Sequence, residues 1–449
     1  MKRKPKPNCD PARLAAFETL CDFDKSPSPL PELIESHLTR GSFTDLDRSF
    51  VSHLVYGVLR FREQLDFMIG RHITQGLGKK RQKAALLRLG AFQLMPDSKV
   101  PRSAAINETV KLTRATVGEG LTGFVNAVLR KIAADSVNWD GLIPNGNDSE
   151  DLSIRYSQPE WLVNLLVRDH VIESAVRFLS AFHDRLDTCV RINYLKVTRN
   201  DFEERLRKLD IPIAGSEISD DYYILPPEAN LSHFGPLVKG ECFVQNVSSG
   251  IVTELLSPEA NDRVLDMCAA PGGKTVAIAL ITGRPENITS LDMDMPRTEM
   301  MRQNLIRLGL DRVKVETSDG RLYVNSGFDS ILVDAPCSGL GTLAKHPEIK
   351  YTQSAKNIEK LAATQIELLN NAAKLLKSDG ILVYSVCTLS NRETVDVKDE
   401  FLKSNPNFVL AVPADFRYHQ FVRDDSTLLI PPGESNLEGM FAFRARKAG

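Results

Sequence analysis

Apolar residues recur at helical spacing through the first part of the chain. Phe50, Leu54, Val55, Val58 and Leu59 form one stripe, Ala85, Leu86, Leu89, Phe92 and Gln93 a second, and Phe124, Val125, Val128 and Leu129 a third. No strand pattern interrupts them, so the spacing predicts an all-helical bundle over residues 10–137. Turn-forming residues fill 138–150, which reads as a linker. The pattern then becomes mixed. A helical stretch at 161–182 precedes the alternating run at 189–194, a second helix at 200–209 and a short apolar run at 222–225. These predict a small α+β connecting module over residues 150–240.

Residues 241–449 alternate short apolar runs with amphipathic segments. Runs of strand length occur at 263–267, 288–292, 313–317, 329–334 and 380–385, and helical patterns at 296–308 and 358–376. The second helix is expected to stop at Lys377-Ser-Asp-Gly380. Such alternation implies a buried parallel sheet with crossover helices, a Rossmann-like, doubly wound domain. The fold class expected is therefore multidomain, α followed by α/β.

Composition narrows this only a little. A chain of 449 residues exceeds one ordinary core, which favours two or three domains. Apolar residues at 42% and charged residues at 25% are usual for a globular protein. No apolar run is long enough for a membrane span. The basic start at residues 2–6 has no apolar stretch behind it, so it does not read as a secretory signal. Seven scattered cysteines argue for a reducing compartment, and the eight histidines lack metal-ligand spacing, so no metal is expected. A net charge of −2 leaves nucleic-acid binding open, because that needs a local basic face only.

The candidate chemistry gathers where strands run out into loops, the usual ligand position in open α/β sheets. After the first strand comes Cys268-Ala269-Ala270-Pro271-Gly272-Gly273-Lys274. A Walker phosphate loop needs a glycine where Cys268 stands, and no Gly-x-Gly-x-x-Gly is present, so neither polyphosphate motif fits. Asp292 follows the second strand, suited to a ribose diol, and Asp319 follows the third, suited to a ring amino group. Each aspartate alone could be a loop cap. Together they suit an adenosine ligand without a polyphosphate, such as S-adenosylmethionine. Cys9, Cys21, Cys189 and Cys242 read as small buried hydrophobes, and Cys268 as packing within the loop. Cys337, in Asp334-Ala-Pro-Cys337, and Cys387, in Ser385-Val-Cys387-Thr, follow strand ends among small residues and read as reactive thiols.

These three segments, in this order, resemble the RNA cytosine-C5 methyltransferase family. The likeness extends through Lys345-His-Pro-Glu-Ile-Lys350, Gln365 and Glu438-Gly-Met-Phe-Ala-Phe, with Glu393 matching one of two acids common after the second cysteine. Asp47-Arg-Ser-Phe, 54–60, 87–94, 104–108 and 124–130 resemble a NusB-like helical domain, and 191–196 and 245–249 the connecting region. The resemblance implies Cys387 as the nucleophile that adds to carbon 6 of cytosine, Cys337 in product release and Asp334 on the polar edge of the base. It implies S-adenosylmethionine as cofactor, held by residues 268–274, Asp292, Asp319 and Asp334.

The fusion with a NusB-like domain implies small-subunit ribosomal RNA as substrate, and the protein is expected to be cytoplasmic and monomeric. Residues 79–83, Arg102, Lys111, Arg114, Arg130 and Lys131, with Lys345, His346 and Lys350 beside the site, are candidate RNA contacts. Two rivals stand beside this reading: the same chemistry on transfer or large-subunit RNA, and a non-catalytic ribosome-assembly factor.

Overall fold

The computed structural model describes residues 9–74, 76–77, 80–209, 213–226, 229 and 231–449. It divides into two compact units, one of residues 1–183 with 346–352, the other of 184–345 with 353–449.

The first unit is helical. Helices Pro11–Lys25, Asp45–Arg60, Arg81–Phe92 and Thr122–Asp135 share one core. Leu54, Val55, Val58 and Leu59 from one predicted stripe meet Leu86, Leu89, Val125 and Leu129 from the others, all essentially without exposure. Gln93, placed in the second stripe, is buried because its side chain pairs with Arg13 Nε at 2.8 Å and donates to Leu89 O. Asp45–Arg60 begins with a capping box between Thr44 and Asp47, which satisfies the free N–H groups of its first turn. The expected linker at 138–150 is not all turn, since Trp139–Leu142 and Ser149–Arg155 are helical. The single helix expected at 161–182 is two, Glu160–Asp169 and Ile172–Ala181, and both belong to this unit. The residues expected as one connecting module over 150–240 are therefore shared between the two units.

In the second unit, strands β1 (Thr188–Ile192), β2 (Ala214–Gly215), β3 (Tyr222–Leu225) and β4 (Cys242–Val244) form an antiparallel sheet. Its order among the described residues is β2-β3-β1-β4. Helix Arg199–Lys208 covers one face, burying Phe202 and Leu206 against Val190, Ile192 and Tyr223.

The larger sheet begins with β5 (Val264–Met267), β6 (Ile288–Asp292), β7 (Lys314–Thr317), β8 (Phe328–Asp334) and β9 (Leu376–Val386). These five are mutually parallel, in the order β7-β6-β5-β8-β9. Then β10 (Phe408–Leu410), β11 (Thr427–Ile430) and β12 (Met440–Lys447) add antiparallel, β12 against β9. β5 and β6 are buried at every position, as expected when helices cover both faces. The chain runs outward from β5 in one direction and from β8 in the other. The crevice at their carboxyl ends is thus a topological switch point.

The helix ends one residue before the expected 376, but Lys377–Gly380 lies within β9 rather than in a turn. Helix Ala355–Leu375 passes directly into β9, because Leu376 already pairs with Phe328. The next pairing is Ser330 with Ile381, so residues 377–380 form a bulge, with Asp379 at φ +61°.

Candidate active site

The loop after β5 is built from backbone held on all sides. Ala269 N donates to Leu291 O at 2.7 Å, Ala270 N to Asp292 Oδ2 at 3.2 Å, and Gln245 Nε2 to Gly273 O at 2.9 Å. Arg297 donates to Ala270 O and lies 3.3 Å from Asp292 Oδ2. Gly272 has φ +102°, and a Cβ there would lie 2.9 Å from Met301 Cγ, so this turn requires glycine. Gly273 then opens helix Gly273–Thr282. Cys268, at φ +58°, packs with the core beneath the sheet, and burial pushes its thiol up to about 12.

Lys274 does not point along the loop as a phosphate-binding lysine would. Its Nζ lies 2.7 Å from Asp334 Oδ2, while Ser385 Oγ donates to Asp334 Oδ1 at 2.7 Å. One bond joins the loop after β5 to the end of β8, and the other joins β8 to β9. Beneath them Asp266 is sealed from water. Its Oδ2 accepts from Thr275 Oγ1 at 2.6 Å, and its Oδ1 has no partner among the described residues. Burial, with the charges of Asp334 and Asp292 adding to it, pushes this carboxyl up to about 7.

Asp292 and Asp319 stand on neighbouring loops, tied by Ser318 N donating to Asp292 O at 3.0 Å. Asp292 is buried and also accepts from Asp294 N at 3.1 Å. Asp319 is half-buried and gripped by Arg321, whose Nη2 lies 2.7 Å from Oδ2, which holds its carboxyl below the usual range. The donor set suits a cationic, adenosine-bearing ligand. Carboxylates line the crevice, its lysine is already neutralised, and one buried carboxylate oxygen lacks a donor.

The two thiols meet at the ends of adjacent strands. Cys337 Sγ and Cys387 Sγ are 3.3 Å apart, within S–H···S contact. Asp334 pairs with Ser385 across β8 and β9, which puts the residues just beyond them side by side. The hydrogen bond to Cys387, burial and the nearby charges push the Cys337 thiol well above its ordinary value, so the proton stays on Cys337. Lys274 is close enough for the Cys387 charge to help raise it.

The predicted cofactor loop, Asp334, Cys337 and Cys387 thus meet at the carboxyl ends of β5, β8 and β9, with Asp292 and Asp319 at the ends of β6 and β7. Glu393 and Gln365 match the family in sequence, which gives them no role. Glu393 is buried between the two cysteine loops, and Gln365 donates to it at 3.1 Å. Its offset of six residues from Cys387 was the available signal, but nothing in the pattern shows the chain doubling back there. Lys350, expected beside RNA, is instead 1% exposed within the helical unit, donating to Arg60 O and Ser157 O. Lys345 pairs with Glu438 at 2.7 Å, and His346 is exposed. Lys79 lies outside the described residues. Lys80, Arg81, Arg102 and Lys131 are exposed, whereas Lys111 and Arg114 pair with Glu108 and Glu119.

Residues 253–445 match the family described as 16S rRNA methyltransferase RsmB/F, and residues 10–134 match the NusB family. Over 446 residues the chain is 31% identical to the "Probable ribosomal RNA small subunit methyltransferase B" of Bacillus subtilis (strain 168), covering 97% of this chain and 98% of that protein. The chain belongs to the RsmB/F family. The ribosomal RNA small subunit methyltransferase B of Shewanella oneidensis is 32% identical over 424 residues, or 93% of this chain and 94% of its own. Among solved structures, a methyltransferase homolog protein from Pyrococcus horikoshii superposes with TM-score 0.56 at 26% identity, covering 68% of this chain and all of that one. As an RsmB/F member with this fold, the protein is an S-adenosylmethionine-dependent RNA cytosine-C5 methyltransferase. No helix among the described residues is long and apolar enough to cross a membrane.

Proposed function

We propose that the protein methylates carbon 5 of a cytosine in 16S ribosomal RNA, with Cys387 as nucleophile and Cys337 clearing the adduct. The observation that carries this reading is the 3.3 Å contact between two thiols beside the Lys274–Asp334 pair. S-adenosylmethionine supplies an electrophilic methyl group when bound. Residues 268–274, Asp292, Asp319 and Asp334 would hold it.

Carbon 5 of cytosine is too weak a nucleophile to react unaided. Addition of Cys387 Sγ to carbon 6 pushes an electron pair into the ring and makes carbon 5 enamine-like. Asp334, held rigid by Lys274 and Ser385, accepts from the exocyclic amino group and orients the base. After methylation the carbon-5 proton must leave, the C6–S bond must break, and its electron pair must return to sulfur. Once Cys387 is a thioether, the S–H···S contact that holds the Cys337 proton is lost. Cys337 then gives its proton to solvent, takes the one from carbon 5, and restores the S–H···S pair as Cys387 departs. The net product is one proton released per methyl group.

The target base must leave its stack, at roughly a few kcal/mol, least where it is already single-stranded. The exposed Lys80, Arg81, Arg102 and Lys131 of the NusB-like unit would meet phosphates. We infer a cytoplasmic, monomeric enzyme. A covalent-trapping gel with S-adenosylmethionine and 16S RNA tests the reading. A slow-migrating adduct in Cys337→Ala that is missing from Cys387→Ala is expected. An adduct that needs Cys337 instead would exchange the two roles, and no adduct or methyl transfer with any RNA would favour a binding factor.

A further inference from the structure

We propose that Glu393 is the positioning residue that fixes the Cys337 loop against the Cys387 loop, and so sets the rate at which the methylated adduct is cleared. This rests on the cysteine roles proposed above. Glu393 lies in the short turn Asn391–Glu393 and has no exposure to solvent. Its Oε1 accepts from Ser338 N at 2.8 Å and from Gln365 Nε2 at 3.1 Å. Its Oε2 accepts from Ser338 Oγ at 2.5 Å and from Thr388 Oγ1 at 3.3 Å.

Ser338 directly follows Cys337, and Thr388 directly follows Cys387. One carboxylate therefore ties together the residues next to both thiols. Gln365 extends the clamp backwards, since its Nε2 also donates to Pro336 O at 2.9 Å, just before Cys337. The Glu393 carbonyl accepts from Tyr384 OH at 2.7 Å, which fastens the turn itself to β9. A carboxylate this deeply buried is costly unless its lone pairs are filled, and here neutral donors fill them. Burial still pushes it upward. Such a cost is carried where the carboxylate holds something in place.

The two loops do not depend on the clamp equally. Cys387 continues directly from β9, and its carbonyl accepts from Gly341 N at 2.9 Å. Cys337 stands three residues past Asp334, where β8 has ended, and its neighbours Pro336 and Ser338 are held through Gln365 and Glu393. Loosening Glu393 therefore frees the release thiol while Cys387, Asp334 and Lys274 keep their places. First-turnover methyl transfer and adduct release should come apart.

Full-length wild type, Glu393→Gln, Glu393→Asp and Ser338→Ala are compared with labelled S-adenosylmethionine and 16S RNA, following first-turnover methyl transfer and trapped adduct separately. In Glu393→Gln an amide donor faces donors already in place. We expect first-turnover transfer within about threefold of wild type, multiple turnover down about 10–100-fold, and adduct accumulating. Glu393→Asp keeps the charge and should recover part of the release rate, and Ser338→Ala should show the same split more weakly. Release at the wild-type rate in both Glu393→Gln and Ser338→Ala overturns the inference. So does a parallel fall of both steps with a lowered melting temperature, which would make Glu393 a purely structural group. Wild type that forms no Cys387-dependent adduct would instead overturn the functional reading, and this inference with it.

Discussion

Lys274 Nζ lies 2.7 Å from Asp334 Oδ2, joining the loop after β5 to the end of β8. Burial pushes Lys274 down, but the charge and hydrogen bond of Asp334 outweigh it and the net shift is upward. The pair is partly buried, so removing one partner leaves the other's charge poorly compensated. Lys274→Met and Asp334→Asn should each lower first-turnover methyl transfer by about 10²–10³-fold. Because they disrupt one unit, the double variant should be no slower than the slower single. Additive losses in that cycle would show that the two residues act separately.

Asp266 makes the stability of the ligand-free protein depend on pH. Its carboxyl moves from the ordinary 3.8 to about 7, through burial first and the neighbouring Asp334 charge second. Between those values the folded state holds a proton that the unfolded chain has lost. Stability therefore falls as pH rises from about 4 to 7, by roughly 4 kcal/mol in all. Asp266→Asn keeps an acceptor for Thr275 Oγ1 and has no charge to bury. It should melt higher than wild type at pH 8 and close to it at pH 5. Thermal melts with equal pH slopes in both proteins would refute this.

A methyl group at Gly341 should disable the site from behind. A Cβ there would meet Gly439 O at 2.0 Å, and Gly341 N also donates to the Cys387 carbonyl. The obstacle is backbone, which cannot rotate aside. Gly341→Ala should therefore shift the Cys387 loop and lower first-turnover transfer by about tenfold or more. Gly123→Ala serves as the control, because a Cβ there meets nothing within 4 Å and its backbone is helical. Wild-type transfer in Gly341→Ala would mean the Cys387 loop does not need this contact.

The parallel strands and the crevice residues were legible because each follows an apolar run of strand length. Asp292, Asp319, Asp334, Cys337 and Cys387 could all be placed at strand ends from spacing alone. The bulge at 377–380 was not legible, since Lys-Ser-Asp-Gly signals a stop equally well inside a strand or after a helix. The four contacts of Glu393 depend on how loops cross in space, which no local pattern records. Lys350 misled for a related reason. A lysine four residues from an exposed histidine reads as solvated, and only the tertiary contacts show its ammonium group buried.

That burial gives Lys350 a testable consequence. The chain enters the helical unit at His346 and leaves it after Thr352. Within it, Lys350 Nζ donates to Arg60 O at 3.0 Å and Ser157 O at 2.5 Å, 3.9 Å from Glu63. Burial lowers its ammonium from the ordinary 10.5 to about 8. Between these values the unfolded chain binds the extra proton, so wild-type stability rises with pH across that window. Lys350→Met loses this rise and leaves two carbonyls without a donor, at about 1–3 kcal/mol each. It should melt lower than wild type at pH 7, and the gap should widen by pH 9.5. Its RNA affinity should keep the wild-type salt dependence while the helical unit remains folded. Lys80→Ala or Arg81→Ala should instead reduce the slope of log affinity against log salt by about one each. A lowered salt slope in folded Lys350→Met would return this lysine to the RNA surface.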